Sequence, residues 1–180
     1  QVQRAREVLE RTLGRIEPTS TSTVPLLALL VDVHLATGNV DQAEQTVATL
    51  EACTAGHDAL YLTAVRAFTR GRLAAASGDP AARGWFRVAV DGYADAQLPL
   101  ESAYSQLELA EVLANDLPDV ARAEAKAALD CFLRLQATRY IDSAAALLRS
   151  LGLRVAPTRT VGVAALTSRE TEVLELLGHG

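Results

Sequence analysis

Residues 103–132 read AYSQLELAEVLANDLPDVARAEAKAALDCF. Two apolar stripes run through them: Ala103, Leu107, Ala110 and Ala114 before a break, then Ala121, Ala125, Ala128 and Phe132 after it, continuing to Leu135. Recurrence at three and four positions places side chains on one face of an α-helix. The break, Asn115-Asp116-Leu117-Pro118, has corner chemistry, because Asn tolerates the left-handed conformation past a helix end and Pro pre-sets the first turn of the next helix. The stretch therefore predicts helix, tight corner, helix.

Working outward, the same pattern recurs. Ala43, Val47, Leu50 and Cys53 form one stripe, Ala82, Phe86, Ala89 and Tyr93 another, and Ile141, Ala145, Leu148 and Leu151 a third. The corners Gly38-Asn39 and Gly78-Asp79-Pro80 precede the one at Asn115, at spacings of about 40 and 37 residues, which is the range of stacked two-helix units. Helices are expected at 2–16, 24–37, 40–54, 58–77, 80–96, 99–114, 118–136 and 138–151. Aromatic residues make up only 4% of the chain, and no run alternates as a half-buried strand would. The fold class is all-α, read as antiparallel helical hairpins stacked into an array. The segment Leu26-Leu27-Ala28-Leu29-Leu30-Val31 is apolar all round and is expected to be packed between neighbours. Leu60, Ala64, Ala67, Gly71 and Ala74 form a stripe of mostly small residues that permits close helix approach.

The chain has 180 residues, 49% hydrophobic and 22% charged, with a formal net charge of −5, the balance of a soluble globular protein. Its acidity gives no bulk attraction for phosphate, so any contact with nucleic acid needs a local basic patch or a further segment. No run is apolar over the roughly 18 residues of a membrane span, and residues 1–20 lack the apolar core of a signal peptide, so no membrane partner and a cytoplasmic location are expected. Cys53 and Cys131 sit in helical patterns as small buried thiols. With no methionine and a helical pattern that stops at Gly180, the sequence reads as an internal piece of a longer protein.

Enzymatic and cofactor signatures are missing. The single lysine, Lys126, lies in a helical alanine stretch and not behind a glycine-rich loop, which removes a P-loop. His34, His57 and His179 have no partner at zinc-ligand spacing, and no nucleophile elbow occurs. The expectation is no enzyme, no catalytic residue, no metal and no cofactor. His34 reads as a core or partly exposed histidine bonded to a neighbour, and the acidic positions Glu101, Glu108, Glu111, Asp116 and Asp119 as a solvated face. One candidate groove stands out, in which Phe68, Trp85 and Tyr104 are flanked by Arg66, Arg70, Arg83 and Arg87. Aromatics at helical spacing usually build core, but aromatic and arginine side chains together also line the grooves with which repeat arrays hold peptides or small effectors.

After 152–165, which hold two glycines and a proline without helical period and read as a linker, comes LTSRETEVLELLGHG over 166–180. Thr167 and Glu170 make a capping box, and Leu166 can staple onto the first turn. Leu166, Thr167, Arg169, Glu170, Glu172, Val173 and Leu174, with Leu176, Leu177 and Gly180, resemble the opening of the LuxR-type DNA-binding domain. The order of helical repeats, linker and this motif is similar to that of large LuxR-family transcriptional activators of the MalT-like kind. The resemblance implies a tetratricopeptide-like sensor over 1–151, a linker over 152–165 and the first helix of a helix-turn-helix domain over 166–180. It implies that DNA is read only by later helices, beyond Gly180, and that a nucleotide-binding ATPase precedes the repeats. The repeats lack the Trp-x-x-Leu-Gly signature and exceed the roughly 34 residues of a standard unit, so tetratricopeptide-like names a fold and no ligand. Under this reading the repeats sense a small-molecule or protein effector or form a homo-oligomer. The alternative is a helical-repeat adaptor without DNA binding, in which 166–177 only cap the array.

Overall fold

A computed structural model describes residues 2–16 and 20–153. The expectations for 154–165 and for the motif at 166–180 lie outside the described residues. Among those described the chain is all-α, with eight helices and no strand: α1 (Val2–Leu13), α2 (Val24–Ala36), α3 (Val40–Thr54), α4 (Leu60–Ala76), α5 (Ala82–Asp95), α6 (Pro99–Leu113), α7 (Pro118–Arg134) and α8 (Thr138–Ser150). No helix among them is long and apolar enough to cross a membrane.

The boundaries follow local chemistry. Pro99 and Pro118 open α6 and α7, and Pro25 stands at the second position of α2. Pro80 does not open α5, because the Asp79 carboxylate accepts the Ala81 N–H at 2.8 Å and holds one more turn residue outside the helix. The polar corner before α2 forms a single 3₁₀ turn (Thr21–Thr23) in which the Thr23 hydroxyl donates to the Ser20 carbonyl at 2.6 Å. Gly38, Gly78 and Gly152 take the left-handed conformation past helix ends, but Asn115 does not. Gln97 and Gln136 do instead, at φ of 58° and 54°.

From α2 onward the connections are short, so successive helices run antiparallel and each packs on its neighbours in the chain. Contacts also link α2 with α4 and α6 with α8. The buried positions recur in register: Ala43, Ala82 and Ala121; Val47, Phe86 and Ala125; Leu50, Ala89 and Ala128; Thr54, Tyr93 and Phe132. Each successive residue in these sets lies thirty-nine positions on, and all are buried. One core joins α2 to α6 around Leu50, Phe68, Phe86 and Leu109, and a second joins α6, α7 and α8 around Leu107, Phe132 and Leu148.

The small-residue stripe of α4 does what its composition implies. A Cβ on Gly71 would lie 2.8 Å from two ring carbons of Phe86, and one on Gly92 would lie 3.1 Å from the Ala64 Cβ, so α4 and α5 meet at close range. The apolar run of α2 is packed between α1, α3 and α4 except at Leu29, which is 51% exposed.

Candidate functional site

The seven groove positions do not gather into one groove. Phe68 is buried among Phe86, Tyr93 and Tyr104, with ring centroids 6.0, 6.4 and 5.5 Å away. Tyr104 is half-buried and also meets Tyr140 at 5.1 Å. These rings are spacers between helices: Phe68, Tyr104 and Tyr140 hold equivalent positions on α4, α6 and α8, thirty-six residues apart.

The structure does bring Arg70 and Trp85 together. The Arg70 guanidinium lies 5.8 Å from the Trp85 ring centre, a cation–π arrangement beside a surface cleft of about 240 Å³ whose walls include Val40, Glu44 and Leu73. Arg70 also grips Glu51 through two nitrogens, with Nη2 to Oε2 at 2.6 Å. That hydrogen bonding raises the Arg70 pKa against a smaller opposing effect of burial, so its charge is already matched within the protein. Arg83 and Arg87 point elsewhere, joining α5 to the next hairpin: Arg83 pairs with Asp116, and Arg87 Nη2 reaches Glu124 Oε1 at 2.5 Å. Arg66 donates to the Thr63 hydroxyl at 3.2 Å.

Sequence reasoning missed Arg72. From α4 its Nη1 donates to both oxygens of Glu108 on α6 at 2.7 Å, while its Nε lies 3.2 Å from Asp32 Oδ1 on α2 without the alignment of a hydrogen bond. One guanidinium thus ties three helices of alternate order. Burial opposes its charge, but Glu108 and Asp32 outweigh that and hold it protonated. Burial pushes the Asp32 carboxyl above its ordinary 3.8, with Glu108 adding to the shift and Arg72 opposing it. The signal was present in the sequence: positions 32, 72 and 108 recur with the period of the corners.

The acidic stretch on α6 and α7 is therefore more than a solvated face. Glu108 is only 12% exposed at its side chain, Asp116 holds Arg83, and Asp119 pairs with Arg122 in the first turn of α7. Burial, and then Glu108, push the Glu111 carboxyl up, with Arg72 opposing. His34 departs from its expectation only in its bonding. It is buried on α2, its Nδ1 has no hydrogen-bond partner among the described residues, and burial lowers its pKa from the ordinary 6.5. Glu10 and Arg6 of α1 act on it in opposite directions.

Tyr61 of α4 and Tyr93 of α5 have ring centroids 6.4 Å apart. Burial and then Tyr61, Glu101 and Asp32 push the Tyr93 phenol above its ordinary range, and burial with Glu101 does the same to Tyr61. Among the described residues no group of three or more histidine, cysteine or acidic side chains is arranged to hold a metal ion. No family model, curated protein or solved structure matches the chain.

Proposed function

We propose that residues 1–151 are a tetratricopeptide-like stack of helical hairpins serving as the effector- or partner-sensing, or oligomerising, region of a cytoplasmic bacterial transcriptional regulator of the LuxR type. In this reading 152–165 link the stack to a DNA-binding domain that opens at 166–180. The observation that carries the stack is the recurrence of buried positions every thirty-nine residues from Ala43 to Phe132, since a hairpin that repeats its register must bury the same face against each neighbour. The DNA-binding part rests on the sequence motif at Leu166, Thr167, Arg169, Glu170, Glu172, Val173 and Leu174. An effector acts by favouring one of two packings of the stack, which changes how the DNA-binding domain is presented.

The test is DNA retardation by the full-length product of the gene. The proposal expects salt-sensitive, sequence-specific retardation of DNA from the protein's own promoter region, while residues 1–153 alone leave DNA unretarded, because base reading needs a helix in the groove. A full-length product that retards no DNA, and that captures a protein partner through the stack, would establish the adaptor reading in its place.

A further inference from the structure

Leu27, Leu30 and His34 stand at helical spacing on one face of α2, and Gln42, Gln45, Thr46 and Thr49 do the same on α3. With Glu10 of α1 these residues wall a cleft of about 340 Å³. His34 is 4% exposed, yet its Nδ1 is buried with no hydrogen-bond partner among the described residues, although a buried ring nitrogen ordinarily has one. Burial favours the neutral imidazole, which offers one donor and one acceptor. The carboxamides of Gln42 and Gln45 are likewise without partners among the described residues. The Thr46 and Thr49 hydroxyls donate to the Gln42 and Gln45 carbonyls at 2.8 and 2.9 Å, which leaves them only lone pairs for the cleft.

The lining narrows the ligand. Its one charged group is Glu10, with Arg6 Nε 3.7 Å away and outside the wall, so no cation is placed to hold a phosphate or a carboxylate. Acceptors, from Glu10, both threonines, both carboxamides and one ring nitrogen, outnumber the donors, so a matching ligand brings N–H groups. Carboxamides pair with the adjacent donor and acceptor on the edge of an amino-substituted heterocycle, and the buried Leu27 and Leu30 give its flat face an apolar floor. We propose that this cleft between α1, α2 and α3 binds an uncharged, amino-substituted planar heterocycle, the chemistry of an adenine or cytosine base, with Gln42 and Gln45 pairing to its edge and His34 and Glu10 taking its remaining polar groups. Because Glu10 lies on α1 and the carboxamides on α3, occupancy fastens α1 to the first hairpin of the stack, which gives an effector a hold on that end of the array. The inference rests on the sensing role of the stack and not on DNA binding.

The test is titration of the 180-residue chain, by calorimetry, with adenosine, cytidine and uridine, which share a ribose while only the first two carry an exocyclic amino group. The proposal expects saturable one-to-one binding of adenosine, of cytidine or of both, with uridine weaker by about tenfold or more. Gln42→Leu with Gln45→Leu, both exposed in the parent, weakens that binding by about tenfold or more, and His34→Leu weakens it as well, while Asp130→Asn, an exposed carboxylate on α7, leaves it unchanged. Circular dichroism and thermal melts check that each variant is folded. Binding of adenosine alone identifies a two-ring base and binding of cytidine alone a one-ring base. No saturable binding of either, uridine bound as tightly as the better of the two, unchanged affinity in the glutamine variant, or equal weakening in the Asp130 variant overturns the site. That failure leaves the DNA-retardation result untouched, and a chain that binds the nucleoside while its full-length form retards no DNA keeps the site and loses the regulator.

Discussion

Replacing Gly71 by alanine sets two effects of known sign against each other. Gly71 lies inside α4, where alanine in place of glycine is worth about 1 kcal/mol in helix propensity. Against this, the new Cβ would sit 2.8 Å from Cδ1 and Cε1 of Phe86 and 3.1 Å from Cγ. Phe86 has no exposed surface and is held by Phe68, so the ring cannot swing into solvent. Overpacking of this kind costs about 1–3 kcal/mol, so Gly71→Ala is expected to destabilise by about 1 kcal/mol net. Gly84 is the control, since it is an exposed glycine inside α5 with nothing within 4 Å of its Cβ position, and Gly84→Ala should therefore stabilise by up to about 1 kcal/mol. Urea denaturation midpoints measure both, with a shift of about 2–4 °C in Tm per kcal/mol as a second reading. Phe86→Leu in the Gly71→Ala background should cost less than in the parent, because the shorter side chain relieves the clash. If Gly71→Ala stabilises as much as Gly84→Ala, the close approach of α4 and α5 is wrong.

Removing Arg72 by Arg72→Leu leaves Glu108 poorly solvated without its counter-ion and should destabilise by about 2 kcal/mol, with Glu108→Gln in the same chain recovering part of the loss; a double-mutant cycle in urea measures the coupling. The neighbouring aromatics of α5 should respond differently: Phe86→Ala is expected to cost about 3–5 kcal/mol and Trp85→Ala, 39% exposed in the parent, under about 1.5 kcal/mol, read from denaturation midpoints. For His34 the sign is fixed by its lowered folded-state pKa. The unfolded chain binds more protons, so this contribution to stability is complete above pH 6.5 and is lost as pH falls through and below that value. Stability of the parent should drop more between pH 7.5 and 5.5 than that of His34→Leu, and parallel profiles would contradict the burial of the neutral ring.

The helices were legible because alanine-rich stripes at three and four positions have one structural meaning, and Ala82, Phe86, Ala89 and Tyr93 are all buried as the pattern requires. Corners were less so. Gln97 takes a left-handed conformation without being glycine because the turn is fixed by backbone bonds, Leu98 N–H to Tyr93 carbonyl at 2.9 Å and Gln97 N–H to Ala94 carbonyl at 3.0 Å, which hold the geometry whatever the side chain. Leu29 was misplaced because a fully apolar run carries no information about which side faces a neighbour. The arginines were the least legible. A side chain of that reach chooses its partner from what the helix packing brings near, so Arg70, Arg83 and Arg87, grouped by sequence, answer to Glu51 on α3, Asp116 in the corner before α7 and Glu124 on α7. Arg72, equally visible, gained its role only from the register that sets Asp32 and Glu108 on either side of it.

The claim that the helical stack is one unit and the segment from Leu166 onward the start of another is tested most directly by comparing urea unfolding of residues 1–180 with that of residues 1–153. The account predicts coincident midpoints and equal slopes, because removing the beginning of a separate domain takes nothing from the stack. A chain ending at 153 that unfolds at clearly lower urea, with a smaller slope, would make 166–177 the capping helix of the array and contradict it.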